Sequence, residues 1–170
     1  MKCRSRQSVW KGLLAGLAGG LTATFAMSQF QAVSKHWFFP QHQGGQSHPP
    51  SEQEPATAKA AQSISRAATG HELTESEKKI GGPAVHYAFG AGNGMLYGAL
   101  SEFQPKTRAA RGAAFGAGLW AVADEIGVPA LGLSKPPREE PASSHLYGLA
   151  SHLVYGLTTD AVSRGVRALL

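Results

Sequence analysis

Three histidines and two carboxylates stand in or beside otherwise apolar stretches of the chain: His86, Asp124, Glu125, His145 and His152. Imidazole is the side chain whose ordinary titration falls between about pH 5 and 8. An ionisable group within an apolar span is costly, so it faces the interior of a helix bundle or a water-filled cavity. The set therefore suits proton or ion handling. The competing reading is structural: His86 and His145 cap their helices, and Asp124 and Glu125 pair with Lys135 or Arg138, or hydrogen-bond to histidine. A metal is not assigned, because the seven-residue separation of His145 and His152 is too loose for helical two-ligand motifs, which use three or four residues. No catalytic residue is assigned either. There is no Gly-x-Ser-x-Gly, and Cys3, the only cysteine, excludes an intrachain disulfide and a cysteine metal site. Gly90-x-Gly92-x-Gly94 lacks the preceding strand and following Lys-Ser/Thr of a phosphate loop, and is read as helix packing. No cofactor is expected.

Four apolar, glycine-crowded stretches must position these groups. They fall into two matching pairs: Gly12 to Phe30 with Pro83 to Leu100, and Gly112 to Leu133 with His145 to Val162. Gly12-x-x-x-Gly16 recurs as Gly112-x-x-x-Gly116, and Phe89-Gly90 with Tyr97-Gly98 recurs as Tyr147-Gly148 with Tyr155-Gly156. Helical phasing places His86, Gly90, Asn93 and Tyr97 on one face, and His145, Gly148, His152, Tyr155 and Gly156 on another. Asn93, Tyr97 and Tyr155 are expected to line an interface or pore. Gly12, Gly16, Gly90, Gly98, Gly112, Gly116, Gly148 and Gly156 are expected to bring helix backbones together. In water each interior glycine costs about 1 kcal/mol of helix stability against alanine. In lipid the backbone hydrogen bonds are enforced, and small-x-x-x-small spacing promotes close packing. The expected fold is all-α: an integral-membrane four-helix bundle of two parallel helical-hairpin repeats. The spans are 12–33, 83–101, 112–133 and 145–163, each just long enough to cross a bilayer.

Charge supplies an orientation. Lys2, Arg4, Arg6 and Lys11 precede the first stretch; Lys106, Arg108 and Arg111 lie between the second and third; Arg164 and Arg167 follow the fourth. The other two connections are balanced, with five basic and five acidic residues between Lys35 and Lys79. By the positive-inside rule, 1–11, 102–111 and 164–170 are cytoplasmic, 34–82 and 134–144 are extracytoplasmic, and the location is the plasma (inner) membrane. A cleaved signal peptide is the alternative for the N-terminus, with small residues near Ala23 to Ala26. Against it, apolar character continues to Val33. Trp10, Trp37, Phe38 and Phe39 sit where an interfacial aromatic belt would lie. The net charge of +5 lacks the basic, aromatic clustering of a nucleic-acid surface, so no nucleic-acid partner is expected.

The polar connection holds a short helical extramembrane segment. Ser51 reads as an N-cap and Gly70 as a stop. Thr74 and Glu77 have capping-box spacing for a second short helix ahead of Gly81-Gly82, and Pro83 then opens span two, where its missing N–H costs nothing. Pro129 breaks or kinks span three just after Asp124 and Glu125.

Arg111-Gly112 opening a glycine-rich span, Pro129-Ala130-Leu131-Gly132-Leu133, Pro136-Pro137, and His152 with Tyr155 ahead of a basic end together resemble the YagU-type inner-membrane protein family. The likeness covers roughly residues 105–167 and span one. It implies a polytopic inner-membrane protein of uncharacterised molecular function; His152 matches a histidine of the family's last span, and no catalytic residue carries over. Three functions are consistent with the sequence. The first is a proton- or ion-responsive membrane protein using the outward-facing cluster. The second is a structural scaffold docking a protein partner through 41–79. The third is a metal-dependent membrane enzyme. The lipid bilayer is the expected partner, together with further copies in a homo-oligomer.

Overall fold

The structure, a computed structural model, describes residues 8–38 and 54–170, and it is all-α. Helix α1 spans Val9–Phe38, α2 Ala56–Thr69, α3 Glu75–Phe103, α4 Ala113–Val122, α5 Val128–Ala130 and α6 Ala142–Leu169. A 3-10 segment, Pro105–Gly112, joins α3 to α4, and a π-helical turn, Ala123–Gly127, joins α4 to α5. Cys3, the residues near Ser51 and the aromatic side chains of Trp37 to Phe39 lie outside what is described.

Helix α1 packs against both α3 and α6, α4 packs against α6, and α2 lies on α3. Glycine governs these approaches. A Cβ at Gly12 would meet Gly98 O at 2.7 Å, and one at Gly94 would meet Gly20 Cα at 2.5 Å. In the other pair, a Cβ at Gly156 would meet Gly116 N at 2.8 Å and Gly116 Cα at 2.9 Å. Backbone stands against backbone in both pairs, so no side chain fits between them. Serines and threonines in the helices satisfy their hydroxyls locally: Thr24 donates to Gly20 O at 2.8 Å, Ser34 to Phe30 O at 2.6 Å and Ser151 to Tyr147 O at 2.8 Å.

The interior is small and polar, and the exterior is large and apolar. Thr24, Ser34, Ser151, His152, Thr159, Asp160 and Ser163 are buried, while the apolar core is Ala23, Met27 and Tyr155 with Phe115 and Leu119 against it. Phe25, Val33, Phe89, Leu96, Val122, Ile126 and Leu146 are all more than half exposed. Among the described residues, one helix, over Val9–Ser34, is long and apolar enough to cross a membrane, with mean hydropathy 1.3.

Two local expectations need correction. The Thr74–Glu77 capping box is present, with Thr74 Oγ1 accepting from Glu77 N–H and Glu77 accepting from Thr74 N–H. The helix it starts does not end before Gly81-Gly82, however. It runs unbroken to Phe103, and Pro83 lies inside it rather than opening it. The two glycines face Ala58 and Ala61 of α2, and this packing carries the helix through residues that would stop it alone. Helix α2 begins at Ala56 behind Pro55, and Gly70 caps it in the left-handed region at φ 72°. Ala110 and Arg111 also have positive φ, followed by Gly112 at 86°. Three successive left-handed residues thus turn the chain sharply into α4, two of them carrying the steric cost of a Cβ.

Candidate functional site

The five ionisable residues singled out from the sequence gather at one end of the helices, and a π-helical turn is what orients two of them. Pro129 has no N–H to give Glu125 O, and its ring crowds that carbonyl. The helix widens there: Val128 N–H bonds to Ala123 O, five residues back. Such wide turns are rare and recur at functional sites. Here the turn carries Asp124 and Glu125, and both consecutive carboxylates reach α6. Glu125 Oε1 lies 2.8 Å from His145 Nδ1, and Asp124 Oδ2 lies 3.5 Å from His152 Nδ1. His145 and His152 are two turns apart on one face of α6, so each meets one carboxylate.

Further contacts fix the rings. His145 Nε2 is 3.0 Å from Pro137 O, and His152 Nδ1 is 3.0 Å from Gly148 O one turn back. A donor bond to a carbonyl places the proton of His152 on Nδ1 in its neutral form. His86, on α3, lies within electrostatic reach of His152. Its Nε2 is buried with no hydrogen-bond partner. A small cavity of about 90 Å³ opens beside the pairs, lined among others by Trp120, Asp124, Glu125, Lys135, Glu140 and His145. Asp124 and Glu125 meet histidine rather than Arg138. Among the described residues, no group of three or more His, Cys, Asp and Glu side chains converges as a metal site.

The three polar positions expected at an interface behave differently. Tyr97 of α3 donates to Asp160 Oδ1 on α6 at 2.7 Å, and Tyr155 of α6 donates to Gly90 O on α3 at 2.6 Å. The two tyrosines thus cross between the same helices in opposite senses. Asn93 turns back on its own helix, donating to Phe89 O at 2.9 Å. Of the glycines, Gly12, Gly16, Gly90, Gly98, Gly112, Gly116 and Gly156 meet neighbouring helices closely enough to exclude a Cβ, and Gly148 faces the indole of Trp120 at 3.0 Å.

The opposite end holds a network the sequence reading passed over. Asp160 is 2 % exposed and gathers Tyr97, Arg108 Nη1 at 3.1 Å and Arg164 Nη1 at 3.5 Å. Glu102 accepts from Arg167 Nε at 2.6 Å and from Ser8 N–H at 3.0 Å. The Arg167 guanidinium holds the Glu102 carboxyl below its ordinary range, against the opposing effect of burial. The available signal was a tyrosine at equivalent places in two glycine motifs, one of which needs a carboxylate partner.

No curated protein and no solved structure matches the chain. A family model does match, over residues 38–161, a range that takes in α2, α3, the π turn and both carboxylate–histidine pairs. The chain belongs to the family described as proteins of unknown function, DUF1440.

Proposed function

We propose that this protein is an integral membrane four-helix bundle of two parallel hairpin repeats, and that it responds to protons through the cluster of His86, Asp124, Glu125, His145 and His152. In this reading both termini are cytoplasmic, the cluster faces outward in the plasma (inner) membrane, and copies associate. The distribution of side chains supports the membrane part. A protein folded in water buries its large apolar residues first; here serine, threonine and an aspartate are inside and phenylalanine, leucine and isoleucine are outside. Contiguous exposed apolar surface of this kind marks a membrane or protein contact. The paired approaches of Gly12 to Gly98 and Gly112 to Gly156, with the reciprocal tyrosines, support the duplication.

The orphaned Nε2 of His86, a ring within electrostatic reach of His152, carries the functional part. A buried polar atom without a partner is uncommon in a folded protein and calls for an explanation. A buried ring nitrogen near a second imidazole that itself meets a carboxylate is a place where a proton arrives. Purified protein reconstituted in liposomes should show pH-dependent flux or conformational change between about pH 5 and 8. The response should disappear in the paired variant His152→Ala with Asp124→Asn, and shift in pH in His86→Gln. A response unchanged in the paired variant overturns the proposal.

A further inference from the structure

The end of the molecule opposite the histidines carries a cleft of about 510 Å³ lined by Lys11, Arg108, Arg164, Arg167, Ala168 and Leu170. Its volume lies within the range of small-ligand sites, and every charged side chain lining it is a cation. Helix α1 brings Lys11, the 3-10 segment brings Arg108, and α6 brings Arg164 and Arg167. Among the described residues, the side-chain carboxylates they meet are Asp160, which pairs with Arg108 and Arg164, and Glu102, which pairs with Arg167. Four cations against these two side-chain carboxylates leave an excess of positive side-chain charge among the described residues. Lys11 Nζ donates to the Leu170 main-chain oxygen. Arg164 is open to an incoming ligand: its side chain is 56 % exposed and meets Asp160 at 3.5 Å. Arg108 and Arg167 are hydrogen-bonded to their carboxylates at 3.1 and 2.6 Å, which anchors their guanidinium groups. A pair of anchored guanidinium groups flanked by the exposed Arg164 and Lys11 suits the planar recognition of phosphate oxygens. Ala168 and Leu170 add an apolar rim beside the charged floor.

We infer that this cleft binds a phosphate group, either in an anionic lipid headgroup or in a free phosphate compound. The lipid source rests on the membrane reading above, in which this end faces the leaflet whose anionic lipids attract basic residues. The free-phosphate source does not.

The full chain in neutral detergent is titrated with inorganic pyrophosphate by calorimetry and with phosphatidylglycerol by native mass spectrometry, with phosphatidylcholine as the uncharged control. Each cation near such a headgroup contributes about fivefold in affinity, so the paired variant Lys11→Gln with Arg164→Gln should weaken binding about thirtyfold. Lys135→Gln, at the other end, should leave it unchanged, and Arg164→Lys should retain most of it. Retention of phosphatidylglycerol over phosphatidylcholine with this loss assigns the lipid. Binding of pyrophosphate alone with the same loss assigns a free phosphate compound, and stands even if the chain proves not to insert in membranes. The inference is overturned if neither probe binds, if the paired variant binds as wild type does, or if Lys135→Gln loses as much.

Discussion

Gly92 and Gly94 lie two residues apart on α3, and alanine should have opposite consequences at the two. A Cβ at Gly94 would lie 2.5 Å from Gly20 Cα and 2.7 Å from Gly20 N, whereas ordinary contact begins at 3.4 Å. The shortfall is about 0.9 Å. The obstacle is backbone, so no rotamer change relieves it, and α1 and α3 must separate. A radial gap of about 0.5–1 Å forfeits a quarter to a half of each van der Waals contact, each worth about 0.1–0.2 kcal/mol. Over a few tens of atom pairs along the helix interface the loss is about 1–3 kcal/mol, the usual range for overpacking. A Cβ at Gly92 meets nothing within 4 Å, and alanine there gains up to about 1 kcal/mol of helix propensity. Thermal unfolding of the purified full chain, at roughly 2–4 °C per kcal/mol for a domain of this size, should show Gly94→Ala melting several degrees lower and Gly92→Ala unchanged or higher. Equal losses from the two variants would refute the packing argument, as would an unaffected Gly94→Ala.

Two further outcomes follow from the network at the opposite end. Asp160→Ala removes a charged acceptor from Tyr97, worth about 1.5–3 kcal/mol. It also releases Arg108 and Arg164, whose side chains are 24 % and 56 % exposed and so add only about 0–1 kcal/mol. A total loss of about 1.5–4 kcal/mol is expected, with Tyr97→Phe near the lower end; strictly additive losses in the double variant would show that the two side chains do not interact. Glu102 is held below its ordinary range chiefly by Arg167, so its contribution is fully present above the unfolded carboxylate pKa of about 4.3 and is lost as pH falls through the lower folded value. Melting curves from pH 7 to pH 3 should therefore fall more steeply for wild type than for Glu102→Gln, and parallel curves would exclude the coupling.

How much of this was legible in the sequence depended on whether the signal was periodic. Glycine spacing foretells close approach directly, because a missing Cβ four residues from another leaves one flat stripe on a helix; Gly12 and Gly16 lie against Gly98 and Gly94 for that reason. The Thr74–Glu77 box was readable because both of its bonds are local. Its helix was misjudged because Gly81-Gly82-Pro83 is a stop by local preference, and only the contact with α2 overrides it. The partners of Asp124 and Glu125 were not readable from regular phasing. Residues at neighbouring positions of an α-helix diverge by about 100°, so a 3.6-residue period sends at most one of them to α6. The widened turn at Pro129 changes that, and a proline four residues beyond a carboxylate was the only hint. Asp160 is hidden differently: it stands close to Arg164 and Arg167, at the basic end of the last apolar stretch. Helix α6 continues to Leu169, which places Asp160 well inside it.

The two hairpins differ in how long the backbones stay in touch. Between α1 and α3 the glycines are apposed from Gly12 and Gly98 through Gly20 and Gly94 to Thr24 and Gly90. Between α4 and α6 the apposition ends after Gly116, and Trp120 with Asp124 then fills the space against Gly148. A seam of main chain admits almost no sequence drift, since any added atom forces the helices apart. A seam of side chains can be rebuilt one residue at a time. The first hairpin is thus a frozen reference, and the second is the half in which mutation can retune chemistry while the fold survives.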